Sequence, residues 1–271
     1  MSTPYISIII PAYNEEPRLV STLQRMYDYL RRQPYGYELI VVSDGSRDGT
    51  VRVARQWAPA DCPLEVIDRR ENRGKGYTVR EGAARAQGEY ILFSDADLST
   101  PIEELDNFLP LFQESFEIVI GSRSLKDSEI VIHQPFYREW MGRIFNRMVR
   151  VLAVPGIIDT QCGFKCFSRR AVEEIFPRCL VEGFAFDVEI LFLARQLSLS
   201  VKELPVRWLN APGSSISPVR DSLRMFKDIC RIRVDDWKGK YAVEGLMDER
   251  QTWNNHSGAG PGGHNRPRIR Q

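Results

Sequence analysis

The chain has 271 residues, with 37 Lys+Arg against 36 Asp+Glu, a net charge of +1, 43% hydrophobic and 10% aromatic residues. Such proportions exclude an intrinsically disordered chain, and the near-zero charge argues against bulk electrostatic binding to nucleic acid. The start has no secretory pattern, no window approaches the roughly 20 apolar residues of a spanning helix, and the five cysteines read as reduced thiols.

In chain order, Ile6–Ala12 is a short apolar run ending at Pro11-Ala12. Leu39-Ile-Val-Val-Ser-Asp44-Gly and Tyr90-Ile-Leu-Phe-Ser-Asp95-Ala repeat one form, four mostly apolar residues and then Ser-Asp. Leu64–Asp68 and Ile118–Ser122 are further runs. Their length and their Ile and Val content predict strands buried on both faces, as in a parallel sheet covered by helices. Between them, Glu15–Arg32, Asp48–Trp57, Gly76–Ala86 and Ile102–Phe112 have helical apolar spacing. Alternation of this kind predicts an α/β fold with a doubly wound, mostly parallel sheet, in which ligands bind beyond the carboxyl ends of strands.

From about Ser122 the pattern changes to amphipathic helices. In 136–152, Tyr137, Trp140, Met141, Ile144, Phe145, Met148, Val151 and Leu152 share a face bordered by Arg143, Arg147 and Arg150. In 223–232, Leu223, Met225, Phe226, Ile229, Cys230 and Ile232 oppose Arg224, Lys227 and Arg231. Pattern alone fits core helices as well as helices lying in a bilayer interface. The Gly-, Pro- and Asn-rich stretch 248–271 is expected to be a disordered tail.

The residues that carry chemistry fall at the predicted strand ends. Asp95-Ala-Asp97 sets two carboxylates on one loop, hard ligands suited to Mg²⁺ or Mn²⁺ shared with a diphosphate. Taken alone, the pair also fits an acidic turn. Asp44 ends another strand and suits a base or ribose, while Asp48 reads as an N-cap. Asn72-Arg73-Gly-Lys75-Gly opens a helix with two cations and exposed amides, an anion-binding combination without Walker spacing. Arg123 adds a candidate phosphate contact. Cys162 and Cys166 lack a second pair at zinc spacing, the three histidines are scattered, and no Ser-His-Asp set stands out.

These motifs together resemble family 2 glycosyltransferases of the GT-A fold. The likeness rests on Pro11-Ala-Tyr-Asn-Glu15, Val41-Val-Ser-Asp-Gly-Ser-Arg-Asp-Gly-Thr50, Asn72-Arg-Gly-Lys-Gly76 and Asp95-Ala-Asp97. It continues through Gly121-Ser-Arg123, Asp159-Thr-Gln-Cys-Gly-Phe-Lys165, Phe184-Ala-Phe-Asp-Val-Glu189 and Trp208-Leu-Asn-Ala-Pro-Gly-Ser-Ser215, covering roughly 5–235. The later motifs are similar to the dolichyl-phosphate β-glucosyltransferase branch, with polyprenyl-phosphate mannosyltransferases nearby.

The resemblance implies one GT-A domain over 1–240, with a nucleotide-sugar-binding half (1–123) and an acceptor-binding half (124–240). It implies inverting, metal-dependent transfer of a hexose, glucose from UDP-glucose first, to a polyprenyl or dolichyl phosphate. The alternatives are GDP-mannose as donor, a soluble acceptor, or a silent nucleotide-sugar-binding protein. Pro11, Tyr13, Glu15 and Asp44 would hold the nucleoside, Asp95 and Asp97 the metal, and Arg73 and Lys75 the sugar-nucleotide. Gln161, Lys165 and Asp187 would line the sugar side. Asp97, Asp159, Asp187 and Arg123 are the expected catalytic set, and Arg123, Arg138 and Arg220 the acceptor-phosphate cations. A phosphate acceptor, already largely dianionic at neutral pH, leaves the need for a carboxylate base open. The expected place of action is the cytosolic face of a membrane, without insertion and without nucleic acid. Two features depart from relatives: Ser214-Ser215 stands where they carry Ser-Lys, and no spanning helix of the kind some of them have is seen.

Overall fold

A seven-stranded sheet in the order β3-β2-β1-β4-β6-β5-β7 organises the chain. The strands are β1 Ile6–Ala12, β2 Tyr37–Ser43, β3 Leu64–Asp68, β4 Tyr90–Ser94, β5 Ile118–Ser122, β6 Phe164–Ser168 and β7 Val201–Pro205. The helices are α1 Glu16–Leu30, α2 Thr50–Trp57, α3 Lys75–Arg85, α4 Leu105–Gln113, α5 Arg169–Ile175, α6 Phe186–Gln196 and α7 Pro218–Trp237. The computed structural model describes residues 3–128, 154–209 and 218–242, without the side chains of 218–223. The chain divides into two compact units after Arg233, within α7. In the second unit Lys240 pairs with Asp235 at 2.7 Å.

Neighbouring strands run parallel except at β6, which is antiparallel to both β4 and β5. The carboxyl ends of β1, β2, β4 and β5 therefore share one edge with the amino end of β6. Short loops leave that edge, and every candidate site residue in the described first half lies on or beside them.

Two apolar layers hold the sheet between helices. On one face Ile8, Ile10, Leu39, Val41, Leu92, Phe164 and Cys166 pack with Leu19, Leu23 and Met26 of α1 and Leu105 and Phe108 of α4, all fully buried. Phe108 meets Phe164 edge-on with centroids 5.1 Å apart. On the other face α3 approaches so closely that a Cβ added at Gly82 would lie 2.5 Å from Ile9 Cγ2. Phe186 of α6 meets Phe93 of β4 there, at 5.5 Å between centroids.

The doubly wound, mostly parallel sheet is as expected, and the first four helices lie within two or three residues of their predicted bounds. Ile102 begins a 3₁₀ turn, Ile102–Glu104, and α4 itself starts at Leu105. Asp48 is not the N-cap of α2; Gly49 is. The Asp48 carboxylate instead accepts the amides of Thr50 at 3.0 Å and Glu16 at 3.2 Å, serving the starts of two helices. The second half differs more, because the expected run of helices contains β6 and β7. A charged Lys165 interrupts the apolar pattern of β6, and β7, Val-Lys-Glu-Leu-Pro, lies at the sheet edge where charge is tolerated. The helix read over 136–152 and the tail 248–271 lie outside the described residues.

The close contact at Gly82 gives the first prediction. Gly82→Val should lower the unfolding free energy by about 1–3 kcal/mol through overpacking against Ile9 and Val42. A denaturant melt with an unchanged midpoint would contradict this packing.

Candidate functional site

The loop after β4 is built to present two carboxylates. Along Asp95-Ala-Asp97-Leu, Ala96 and Leu98 are buried while both aspartates are half-exposed. The turn is anchored from α1, where the Thr22 hydroxyl donates to Ala96 O at 2.6 Å. Leu98 N closes it on Asp95 O at 3.1 Å, and Leu98 takes φ 46°, a conformation that non-glycine residues adopt only when their surroundings enforce it. Ser99 N fixes Asp97 Oδ1 at 2.9 Å. Asp95 rests against Gly163, where a Cβ would fall 1.9 Å from Asp95 Oδ2.

Cations meet this pair from two directions. Lys75 Nζ lies 2.5 Å from Asp95 Oδ1, with the Phe93 and Phe186 rings 5.4 and 5.9 Å away. Behind it Lys165, fully buried, donates to Asp187 Oδ1 at 2.5 Å and to Cys162 O at 2.6 Å. Burial acts to lower the Lys75 ammonium, but Asp95, Asp187 and Asp97 outweigh it and leave it raised. Burial raises the Asp187 carboxyl, against the pull of Lys165 and Lys75. Glu15 is raised by burial too, with Asp97 and Asp95 adding to it against Arg18. Glu15 is thus coupled electrostatically to the Asp95 and Asp97 carboxylates.

Asp44, nearly buried, is a clamp. Its oxygens accept the amides of Arg73 and Gly74, each at 2.8 Å, and an N–H of Arg69. The loop it holds interlocks with residues 180–186. Gly74, at φ +105°, would put a Cβ 2.5 Å from Glu182 O, and Gly76 would put one 2.6 Å from Val181 O. Arg73 reaches Glu182 and covers the Tyr77 ring at 3.7 Å. Glu189 secures the far side of the interlock by accepting the amides of Leu180 and Val181 at 2.8 and 2.9 Å. Pro11 is the penultimate residue of β1, which ends at Ala12, and Tyr13 stands 44% exposed just beyond it. Asn14 ties that loop to the next by accepting Arg47 N at 2.8 Å.

Arg123 closes the opposite side. Its Nε and one terminal nitrogen donate to Asp159 at 2.7 and 2.9 Å, and its backbone amide donates to the same carboxylate at 3.0 Å. Glu203 of β7 orients Asp159 by accepting its amide at 2.7 Å. Trp208 lies under the guanidinium at 5.7 Å, and Leu209 N docks that segment on Ser99 O at 2.7 Å. Gln161 N donates to Asp159 Oδ1 at 3.1 Å, while Gln161 Nε2 and Thr160 Oγ1 are buried without a hydrogen-bond partner.

The fold thus gathers Tyr13, Glu15, Asp44, Arg73, Lys75, Asp95, Asp97, Arg123, Asp159, Gln161, Lys165 and Asp187 at or just behind one edge. Arg138 lies outside the described residues, and Arg220 is placed only as a position on α7. Sequence reading missed Arg69, Glu182, Glu203 and Trp208. Arg69 follows a predicted strand and Trp208 stands in a motif already noted; Glu182 and Glu203 carry no local signal. Among the described residues no group of three or more His, Cys, Asp or Glu side chains could hold a metal by itself. Asp95 and Asp97 fit a hard divalent ion as two oxygen ligands of a set that a ligand would complete.

Known proteins are similar in both sequence and shape. The family model "Glycosyl transferase family 2" matches residues 7–176. A dolichyl-phosphate beta-glucosyltransferase of Dictyostelium discoideum is 37% identical over 241 residues, 84% of this chain and 74% of the relative. One from Homo sapiens is 36% identical over 255 residues, 89% of this chain and 79% of the relative. Among solved structures, glucosyl-3-phosphoglycerate synthase of Mycobacterium tuberculosis, in complex with Mn²⁺, UDP and glucosyl-3-phosphoglycerate, superposes with TM-score 0.58 at 20% identity, covering 84% of this chain and 80% of that one. Mannosyl-3-phosphoglycerate synthase from Rubrobacter xylanophilus gives 0.64 at 18% identity, over 88% and 76%. The shared fold is GT-A.

The Asp159 cluster makes a prediction about acid stability. Burial alone would raise its carboxyl, but the Arg123 charge, its donors and Gln161 N hold it down at about 2. A depression of that size contributes about 2 kcal/mol, complete above roughly pH 4 and lost as pH falls through about 2. Asp159→Asn should remove this acid limb and lower stability at neutral pH by about 3–5 kcal/mol by stranding Arg123. Unfolding midpoints followed from pH 7 to 2 check both.

Proposed function

This chain belongs to glycosyl transferase family 2, and from that premise we propose that it transfers glucose from UDP-glucose to a dolichyl or other polyprenyl phosphate, with inversion. The observation that carries the reading is the pairing of Asp95-Ala-Asp97 with Lys75 at the carboxyl edge of a sheet whose curated relatives are lipid-phosphate glucosyltransferases. In this reading most donor contacts come from residues 1–123 and most acceptor contacts from 124–240, with Gln161 reaching the donor sugar and Arg123 the acceptor phosphate.

Tyr13, beside Pro11 and Glu15, offers an exposed ring to the nucleoside, and Asp44 acts there through the loop it clamps. Arg73 and Lys75 face the diphosphate. A divalent ion, Mg²⁺ or Mn²⁺, held by Asp95 and Asp97 would supply Lewis-acid stabilisation of the leaving diphosphate. As the bond from the anomeric carbon to that diphosphate breaks, charge moves onto an oxygen that Lys75 is placed to neutralise, the electrostatic contribution that dominates many enzymes. Gln161, whose Nε2 is buried without a partner, suits a sugar hydroxyl, whereas Lys165, fully buried on Asp187 and Cys162 O, supports the site from behind rather than lining the sugar.

The acceptor phosphate needs positioning more than deprotonation, since its second pKa is near ~6. Arg123 suits it: two of its donors are fixed by Asp159, and the rest of the planar fork is left for an anion. Arg138 and Arg220 are further cations for the same phosphate. Asp159 and Asp187, buried and each tied to a cation, serve as positioning groups. No general base is then required.

Membrane contact is part of the reading. Among the described residues no helix is long and apolar enough to cross a membrane. In α7, Ile229 and Ile232 are buried, whereas Phe226 is 40% exposed and Cys230 is exposed, beside Arg224 and Lys227. Such a surface suits an anionic bilayer interface at the cytosolic face.

With labelled UDP-glucose, dolichyl phosphate and Mn²⁺, the enzyme should form a glycolipid, and Asp97→Ala should lower kcat by about 10²–10³-fold. Product from GDP-mannose instead, or transfer only to a soluble phosphate such as phosphoglycerate, would overturn the donor or the acceptor assignment. Co-sedimentation with anionic vesicles at low salt should fall in Phe226→Ser; unchanged binding would remove α7 from the membrane contact.

A further inference from the structure

One feature of the site goes beyond this reading, although it rests on it. Lys75 Nζ lies 2.5 Å from an oxygen of Asp95, one of the two carboxylates that a divalent ion would use. We propose that Lys75 occupies the cation's place in the resting enzyme and yields it only when a diphosphate arrives, so that metal and donor are taken up together.

The surroundings leave few other arrangements. Lys165, the other ammonium of the cluster, is buried and already donates to Asp187 and to Cys162 O. It cannot come forward to neutralise Asp95 without abandoning Asp187 in the core. Asp97 Oδ1 accepts a backbone amide, and among the described residues no third carboxylate, imidazole or thiol joins the pair as a ligand set. An ion arriving alone would therefore find two protein ligands, one of them engaged by a positive charge. A diphosphate changes both conditions, because it brings oxygen ligands for the ion and a new anionic partner for the ammonium.

The local build permits the exchange. Lys75 is the first residue of α3, and its backbone is fixed by the interlock of Gly74 and Gly76 with residues 181–183. The ammonium stands on a flexible stem of four carbons, with the Phe93 and Phe186 rings at 5.4 and 5.9 Å. It can swing by a few ångströms without moving the helix. The positive end of α3 lies at the same place and favours an incoming anion.

The test measures Mn²⁺ binding, by the electron paramagnetic resonance of the free ion, with and without UDP and without any acceptor. Lys75→Met and Lys75→Gln should bind Mn²⁺ alone at least about tenfold more tightly than the wild type, a coupling of ordinary size. UDP should strengthen Mn²⁺ binding in the wild type by about tenfold more than in either variant, and Lys75→Arg should stay as weak as the wild type. Equal Mn²⁺ affinity in the wild type and in whichever of the two neutral variants keeps the wild-type melting temperature would overturn the proposal, as would an equal UDP enhancement. Adding Asp95→Asn or Asp97→Asn to the Lys75→Met chain separates this from failure of the underlying reading. If the ion still binds as tightly without those carboxylates, the metal assignment itself is wrong.

Discussion

An ammonium set in the middle of a buried strand has to be met by an anion, because stripping it of water costs several kcal/mol that only a close, well-formed pair repays. Lys165 imposes that demand here. It lies on β6 opposite Phe93 of β4 and Ile120 of β5, in the centre of the sheet, and Asp187 from the first turn of α6 answers it. With α6 drawn over that strand, Phe186 comes against Phe93 and against Gly76. Lys75 is thereby set within range of Asp187 as well as Asp95. The outward pair, Lys75 with Asp95, is the exposed end of a charge alternation whose inner end is closed to solvent.

A second constraint is steric. The loop that carries Arg73 and Lys75 belongs to the first half of the chain and the loop 180–186 to the second, and they meet with backbone touching backbone. Glycine at 74 and 76 permits that approach, and Gly163 does the same beside Asp95. Side chains at these places would move the cations relative to the carboxylates by more than the tolerance of an ion pair. Asp44 and Glu189 hold the two loops from either side, each by accepting consecutive backbone amides.

Much of this arrangement could be read from the chain alone. Runs such as Ile6–Ala12 and Leu39–Ser43 announce themselves because both faces are buried, and a Ser-Asp following each of two runs places the acids at one edge. Asp159 and Asp187 were legible as candidates from their motifs, but not as partners of Arg123 and Lys165. A pairing across tens of residues leaves no periodicity. β6 escaped for a related reason: Lys165 breaks its apolar run, and only the tertiary partner explains why a charge is tolerated there. In 223–232 the pattern showed an apolar face without showing that Ile229 and Ile232 turn inward while Phe226 stays out.

The antiparallel strand in the middle of the sheet also bears on how the polypeptide comes together. β4 ends at Ser94, yet its neighbour β6 begins only at Phe164, and β5 waits for the same strand. During synthesis the first four strands can assemble from local βαβ units, but one edge stays open until residue 168 has emerged. Long-range closures of this kind are slow and leave an unpaired edge exposed meanwhile. A chain that stops before that point leaves β4 without its β6 neighbour and exposes an unpaired, apolar sheet margin.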